Sequence, residues 1–189
     1  MGVTTIALTA VLGLAACGGQ IADNTPANNG NNFVAGDGTA TYYQPGHRTA
    51  APAVSGTTLS GGKLNLSAYR GHVVVLNFWG SWCAPCRKEA PTLVVLSQEY
   101  QAKGVRFVGV DIRDQASAAQ AFMQNFSISY PSLNDPSDQI ALAFRGTVSP
   151  AAIPSTLVID QQERIAGRII GTASNGSLSS ILAKVTAGT

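Results

Sequence analysis

Charged side chains, histidines and cysteines are all scarce in this sequence. Only 12% of its 189 residues are charged, the formal net charge is +2, and there are two histidines and three cysteines. The sequence has no basic cluster, no basic residues alternating with aromatic ones, and no phosphate-binding loop. Proteins that bind nucleic acid usually carry such a basic surface, so we predict no nucleic-acid partner.

The few cysteines and histidines also argue against a metal centre. A structural zinc site needs about four nitrogen or sulfur ligands, and the sequence offers one CxxC pair with no second pair and no paired histidines. A copper-carrying module that uses the same two cysteines is an alternative, but no cluster of Met or His lies beside them. We therefore predict neither a metal nor an external cofactor.

The remaining cysteine, Cys17, follows the apolar segment 3–16, which has the length of a signal-peptide core and is too short to span a bilayer. The letters LAAC at 14–17 resemble a bacterial lipobox, which implies cleavage before Cys17 and attachment of lipid to its sulfur. The alternatives are a plain secretory signal with a chance cysteine, or a thiol used for intermolecular pairing. No Lys or Arg precedes the apolar segment, although signal peptides usually begin with positive charge.

The segment that follows has the composition of a flexible linker. Residues 17–53 are rich in Asn, Gly, Thr, Ala and Pro and have few large apolar side chains. Such a segment cannot bury enough surface to offset the entropy of ordering it, and we expect His47 and Arg48 to be solvated there. We predict a signal peptide at 1–16, a lipidated cysteine and linker at 17–53, and one folded domain at 54–189.

Hydrophobic periodicity in the folded part predicts strands that alternate with helices. The pattern indicates a hairpin at 57–66, strands at 72–78, 105–111, 155–160 and 164–170, and helices at 83–102, 115–126, 136–144 and 177–185. Asp114 or Ser117 is expected to cap the second helix, and Asp135 the third. This order predicts an α/β fold with a mixed sheet.

The motif Trp82-Cys83-Ala84-Pro85-Cys86 lies where a predicted strand passes into a helix. Two thiols separated by two residues can form and open a disulfide, and the N-terminus of a helix stabilises a thiolate. Pro85 suits the first helical turn, and Cys86 is expected to be shielded inside the helix. A purely structural disulfide is the alternative, but such a short ring restrains the unfolded chain little.

Three segments carry a family resemblance: VVLNFWGSWCAPCRKEAP at 74–91, FVGVD at 107–111 and IPSTLVID at 153–160. They resemble the TlpA/ResA-like extracytoplasmic thiol-disulfide oxidoreductases of the thioredoxin superfamily, and the stretch 114–132 matches the helical insertion of this subgroup. The resemblance covers about residues 54–186. It implies a thioredoxin-like fold, with a central mixed β-sheet flanked by helices, an N-terminal β-hairpin and a TlpA-type helical insertion.

The resemblance also implies roles for the two cysteines of the motif. Cys83 would be the more exposed, attacking thiol and Cys86 the resolving thiol, with the redox-active disulfide between them in place of a cofactor. Exchange would then proceed through a mixed disulfide between Cys83 and a partner protein.

The rest of the active site follows from the same resemblance. Pro154 would be a cis-proline packed against the disulfide, and Ile153 would offer its backbone to an extended substrate segment. Trp82, together with Ala84 and Pro85, is expected on the active-site surface.

Several residues beside the motif bear on its chemistry. Asn77 stands where cytosolic thioredoxins carry a buried aspartate, and an amide cannot accept a proton as a carboxylate does. Proton transfer from Cys86 must therefore use water or another group. Lys88 and Glu89 are expected on the solvated face of the helix, and Trp79 in the core.

The expected function is disulfide exchange on the extracytoplasmic side of a bacterial cell membrane, with the protein anchored by lipid. The resemblance implies exported protein thiols and disulfides as partners, such as those of apocytochrome c during cytochrome c biogenesis, and a membrane thiol-disulfide electron donor or acceptor. Ala84 and Pro85 carry no positive charge that would stabilise the reduced form. The reduction potential of DsbA lies about 150 mV above that of thioredoxin, which corresponds to about 7 kcal/mol of extra stabilisation of the dithiol. We therefore expect a reductant, and the alternative is an oxidase that forms disulfides in exported proteins.

Overall fold

The structure is a computed structural model, and it describes residues 1–2 and 36–188. Cys17, the predicted signal peptide from residue 3 and the predicted linker up to residue 35 lie outside the described residues. Within 36–188, no helix is long and apolar enough to cross a membrane. The same residues form nine strands and four α-helices, which are β1 (Thr39–Tyr42), β2 (Thr49–Ala50), β3 (Ser55–Thr57), β4 (Lys63–Asn65), β5 (Val73–Trp79), α1 (Ala84–Gln101), β6 (Val105–Ile112), α2 (Ala116–Asn125), β7 (Ser132–Asp135), α3 (Gln139–Ala143), β8 (Ser155–Ile159), β9 (Arg164–Ile170) and α4 (Asn175–Thr186).

The main sheet has the strand order β1-β9-β8-β5-β6-β7, and β2 also pairs with β9. Strands β5, β6 and β7 are parallel, whereas β8 is antiparallel to β5 and β9 is antiparallel to β8. The predicted thioredoxin-like fold with a central mixed sheet is confirmed.

Strand β5 has helices on both faces, and all seven of its residues are buried. Successive side chains of a strand point to opposite faces. Val73 and Val75 accordingly pack in one apolar cluster with side chains of α1 and α4, whereas Val74, Leu76 and Phe78 pack in a second cluster with side chains of α2 and α3. This burial on both faces explains why β5 reads as a continuous apolar run.

The predicted hairpin is present as β3 and β4, which pair from Ser55 opposite Asn65 to Thr57 opposite Lys63. It is joined to the main sheet by a bridge between Thr58 and Leu133 of β7. Strand β7 was not predicted, because its four residues include polar side chains and its pairing partner in β6 is distant in sequence.

The helix caps agree only in part with the sequence-based expectation. The N-cap of α2 is Gln115, and no side chain caps it. Asp114 instead accepts a hydrogen bond from the Gln115 N–H at 2.8 Å, and Ser117 lies inside the helix, so that cap prediction was wrong. Helix α3 begins at Gln139 and its N-cap is Asp138, so Asp135 is not the N-cap residue that was predicted. Its Oδ2 nevertheless accepts the N–H groups of Ile140 and Ala141 in the first turn, each at 2.9 Å.

The predicted boundary at residue 54 is too late. Strand β1 pairs with β9 from Thr39 opposite Ile170, and β2 pairs with β9 from Thr49 opposite Ile165. The composition of this segment is that of a linker, but its backbone obtains hydrogen bonds from a strand more than a hundred residues away. Residues 39–50 therefore belong to the folded domain.

Arg48 is buried in this segment, contrary to the expectation that it is solvated. Its Nη1 lies 3.2 Å from Oδ2 of Asp160, and the two side chains are 4% and 1% exposed. The same guanidinium donates to the Tyr42 hydroxyl at 2.8 Å and to the Tyr43 carbonyl at 3.0 Å. One side chain thus joins the segment carrying β1 and β2 to the end of β8.

We expect Arg48→Met to lower the free energy of unfolding by about 2 kcal/mol, because it removes the buried bonds from Arg48 to Asp160 and the N-terminal segment, although Arg164 stays paired with Asp160. The matched control is Arg70→Met, which removes the same charge from a pair with Glu163 whose side chains are 75% and 30% exposed. That variant should lose less than about 1 kcal/mol. Urea unfolding at pH 7 measures both, and equal small losses would show that the buried pair does not fasten the N-terminal segment.

Candidate active site

The two cysteines lie at the edge of the sheet where β5 and β6 end. These strands are parallel, so their carboxyl ends share one edge. Cys83 follows β5 after a turn closed by its N–H on the Gly80 carbonyl at 3.1 Å, and it is the N-cap of α1. Cys83 and Cys86 form a disulfide, and its Cα atoms are 5.3 Å apart.

The surroundings of the disulfide match a helix N-terminus. The Sγ atom of Cys83 accepts the backbone N–H of Cys86 at 3.2 Å. The exposed fractions of Cys83 and Cys86 are 2% and 1%, so in this oxidised form Cys83 is barely more exposed than its partner. Between them, Ala84 is exposed and Pro85 half-buried.

The two tryptophans occupy the positions expected of them. Trp79 is buried and stacks on Phe122, with ring centroids 4.6 Å apart. Trp82 is half-buried, and its Nε1 donates to the Ile112 carbonyl at 3.3 Å. Trp82 therefore forms part of the surface beside the disulfide.

The peptide bond between Ile153 and Pro154 is cis, as the resemblance implies. The next residue, Ser155, begins β8 and pairs with Phe78, which brings this bond to the edge of the sheet where the disulfide lies. Ile153 is buried in the same apolar cluster as Cys83 and Cys86. The fold thus places Ile153 and Pro154 at the same edge of the sheet as the disulfide.

Glu89 is buried, and the expectation that it faces solvent was wrong. The residue is only 1% exposed. Its Oε1 accepts a hydrogen bond from Asn77 Nδ2, and its Oε2 accepts one from the Ala173 N–H, each at 2.8 Å. Burial raises the pKa of Glu89 to about 7, although both hydrogen bonds act in the opposite direction. Glu89 lies one helical turn beyond Cys86 and on the same face of α1.

The sequence contained a signal for this burial. Cys86, Glu89, Leu93 and Leu96 recur at spacings of three and four residues, which places Glu89 within the apolar stripe of α1. Residue type alone favours the opposite position, because a glutamate is almost never fully buried unless it is paired. A carboxyl with a pKa near neutrality behind a thiol can both accept and donate a proton at pH 7.

Asn77 connects this carboxyl to the neighbouring strand. Its Nδ2 donates to Glu89 Oε1 and also, at 3.1 Å, to Oγ1 of Thr156 on β8. All three residues are buried. The amide in β5 therefore does not replace the acid of thioredoxins directly; it holds an acid that comes from the helix.

Two aspartates, Asp111 in β6 and Asp114 just after it, lie close to the turn that leads to Cys83. Asp114 Oδ2 accepts the Ser81 N–H at 2.6 Å, so it fixes the turn. Asp111 is fully buried, and burial together with the charge of Asp114 raises the pKa of Asp111 to about 8. Within residues 36–188, no group of three histidine, cysteine, aspartate or glutamate side chains is arranged to hold a metal ion.

Two arginines that were not predicted as site residues contact the turn between β5 and Cys83. Arg87, in the first turn of α1, donates from Nε and Nη2 to the Ser81 carbonyl at 3.0 and 2.6 Å. The Arg113 guanidinium lies 5.4 Å from the centre of the Trp82 ring. Arg113 directly follows β6, and a residue at the carboxyl end of the strand beside β5 is placed near the motif by topology alone.

Known proteins share both the sequence and this architecture. Residues 48–168, more than half of the chain, match the AhpC/TSA family. The thiol-disulfide oxidoreductase ResA of Bacillus cereus is 33% identical over 136 residues, which cover 72% of this chain and 76% of the relative. Two solved structures are each 31% identical: a secreted thiol-disulfide isomerase from Corynebacterium glutamicum, with a TM-score of 0.74 over 82% of this chain and 96% of that one, and a DsbF homologue from Corynebacterium diphtheriae, with a TM-score of 0.72 over 80% and 96%.

These similarities extend across the strands, helices and cysteine motif described above, well beyond a shared CxxC. The chain therefore belongs to the AhpC/TSA family within the thioredoxin superfamily, and it is a ResA-like thiol-disulfide oxidoreductase.

Proposed function

We propose that this oxidoreductase reduces disulfides of exported proteins, such as apocytochrome c, from the extracytoplasmic side of a bacterial membrane. The observation that carries the proposal is the buried Glu89 carboxyl, one turn beyond Cys86 and with a pKa of about 7. It provides the proton acceptor that Asn77 cannot be. The names of its relatives, a thiol-disulfide oxidoreductase and a secreted isomerase, support exchange chemistry outside the cytoplasm.

The first half of the reaction uses Cys83. Its thiolate attacks one sulfur of the substrate disulfide, which forms a mixed disulfide and releases the other substrate sulfur as a thiolate. The free N–H groups at the start of α1 stabilise the Cys83 thiolate, and the N–H of Cys86 already points at its sulfur. Ile153 and Pro154 would lie on the other side of the bound substrate, where its extended backbone passes Cys83.

The second half uses Cys86 and Glu89. Ionised Glu89 takes the thiol proton of Cys86, and the resulting thiolate attacks Cys83 Sγ. The Cys83–Cys86 disulfide forms, and the second substrate thiolate leaves and is protonated. The substrate has gained two electrons and the enzyme dithiol has lost two, so a membrane thiol-disulfide donor must reduce the enzyme again.

The proposed direction of exchange rests on how few groups would stabilise the reduced form. The residues between the cysteines, Ala84 and Pro85, add no cation, and the hydrogen bond described for Cys83 Sγ comes from the backbone. Strong oxidants of this superfamily need about 7 kcal/mol more stabilisation of the dithiol than thioredoxin has. An oxidase that forms disulfides remains the second candidate, since its steps are the same ones reversed.

The proposed location rests on the sequence around Cys17. A lipid attached to Cys17 would anchor the protein, and several acyl chains on one residue hold more firmly than a single chain. Residues between Cys17 and β1 would then separate the folded domain from the bilayer.

We expect Cys86→Ala to trap the mixed disulfide with exported proteins in intact cell envelopes, because the resolving thiol is gone. The matched control is Cys83→Ala, which should trap far less. Non-reducing electrophoresis and mass spectrometry identify what is bound. Equal recovery from both variants, or none, would contradict the proposed roles of the cysteines.

Adding Cys17→Ser to the trapping variant should keep the mixed disulfides and move them from the membrane to the soluble fraction, because the site of lipid attachment is gone. Retention of the mixed disulfides on membranes would contradict the proposed anchor.

We expect a reduction potential nearer that of thioredoxin, about −270 mV, than that of DsbA, about −120 mV. Equilibration with glutathione buffers, followed by acid trapping of the thiols, measures it. The Ala84→His variant should have a less negative potential, because an added cation stabilises the Cys83 thiolate and hence the reduced form. A native potential at the DsbA end would favour the oxidase instead.

The resolving step should accelerate as the pH rises through about 7, because only ionised Glu89 can accept the Cys86 proton. Glu89→Gln should remove this inflection and slow the step about 100-fold at pH 8. The matched control is Glu99→Gln on the same helix, where the glutamate is 51% exposed and pairs with Lys103. Rapid-quench release of the second substrate thiol measures the step. An unchanged pH profile in folded Glu89→Gln would assign the proton transfer to water.

A further inference from the structure

Arg113 has a backbone conformation that its residue type disfavours. It follows the last residue of β6, and its φ is +49°, in the left-handed region. A side chain other than glycine is held there only when its surroundings fix it, and such residues cluster at functional sites. The Arg113 N–H is 3.4 Å from the Asp135 carbonyl of β7, so the chain turns while still attached to the sheet.

The Arg113 guanidinium contacts three separate segments. It lies 5.4 Å from the centre of the Trp82 ring. Its Nη2 donates to the Pro150 carbonyl at 3.2 Å. Its Nε forms an ion pair with Asp138 Oδ2 at 3.3 Å, although the geometry is not that of a hydrogen bond. The side chains of Arg113 and Asp138 are only 28% and 22% exposed.

These segments are the two sides of the site where disulfides react. Trp82 directly precedes Cys83 on the turn that follows β5. Pro150 begins the stretch 150–153, which leads into the cis bond at Pro154. Asp138 is itself at a positive φ of +59°, so the group that orients the guanidinium is also held in a strained conformation.

We propose that Arg113 is a positioning residue that sets the width of the substrate cleft, by tying Trp82 on the Cys83 side to Pro150 on the Pro154 side. This inference rests on the function proposed above, in which a substrate segment lies between Cys83 and Ile153. A polypeptide disulfide must fit both sides of the cleft at once. A small disulfide needs only Cys83.

The chemistry of the arginine side chain allows bridging to be separated from charge. A planar guanidinium can lie over a ring while its fork of N–H groups reaches two oxygens. An ammonium supplies the same charge as a single point, so Arg113→Lys keeps the charge and loses the bridge. Arg113→Met keeps much of the length of the side chain but loses both the charge and the bridge.

The test compares two substrates of the reduced full-length protein. One is an extended peptide carrying a single disulfide, and the other is bis(2-hydroxyethyl) disulfide. Both Arg113→Lys and Arg113→Met should lower kcat/KM for the peptide about 10-fold, mostly through KM, because small misplacements of a substrate are costly. Neither should change the rate with the small disulfide.

The matched control is Arg106→Met, at the other end of β6, where the guanidinium donates only to the Gln101 and Val105 carbonyls among the contacts described. It should leave both substrates unaffected. Fluorescence anisotropy of Trp82, measured in a Trp79→Phe background, should fall in both Arg113 variants, because the Trp82 ring loses its contact with the guanidinium and moves more freely.

Three results would overturn the inference. If Arg113→Lys behaves as the native protein with the peptide while Arg113→Met does not, the charge alone matters. If both substrates lose activity in parallel, Arg113 supports the fold and not the cleft. If kcat/KM for the peptide is unchanged in both variants, the bridge has no role. A native protein that reduces neither disulfide would instead count against the proposed function.

Discussion

The central position of strand β5 is the constraint on which the site depends. Hydrogen bonds to β6 on one side and β8 on the other hold it, and every one of its residues is buried. Since β6 runs parallel to β5 and β8 runs antiparallel, two strands end and one begins at a single edge of the sheet. The turn before Cys83, the residues after β6 and the cis bond at Pro154 are therefore brought together by strand pairing.

A buried polar network is the exception within this apolar layer. Asn77 interrupts the apolar run of β5, and its amide joins Glu89 of α1 to Thr156 of β8. Buried polar groups are costly unless they are hydrogen-bonded, and here both oxygens of Glu89 have donors. The network keeps a carboxyl behind the disulfide with a pKa near neutrality, where a proton can move in either direction.

Much of the fold could be predicted from sequence because its signals are local. The long apolar strands, the helices at 84–101 and 175–186, and the hairpin all followed from periodicity and turn residues. Strands β1, β2 and β7 could not, since they are short or polar and owe their structure to partners distant in sequence. For the same reason the composition of its segment predicts a solvated Arg48, although a buried carboxylate pairs with it.

The sequence by itself determined the chemistry of the site: two thiols at a strand-to-helix junction, with one at the helix N-terminus, follow from spacing along a single segment. Tertiary structure alone decided what surrounds those thiols. Glu89 lies behind the thiols because Asn77 of β5 and the N–H of Ala173, in the loop before α4, supply donors to it. Arg113 contacts Trp82 and Pro150 because the ends of neighbouring strands meet at one edge of the sheet. Contacts of this kind join residues 12 to 84 positions apart, and periodicity along the chain carries no information about them.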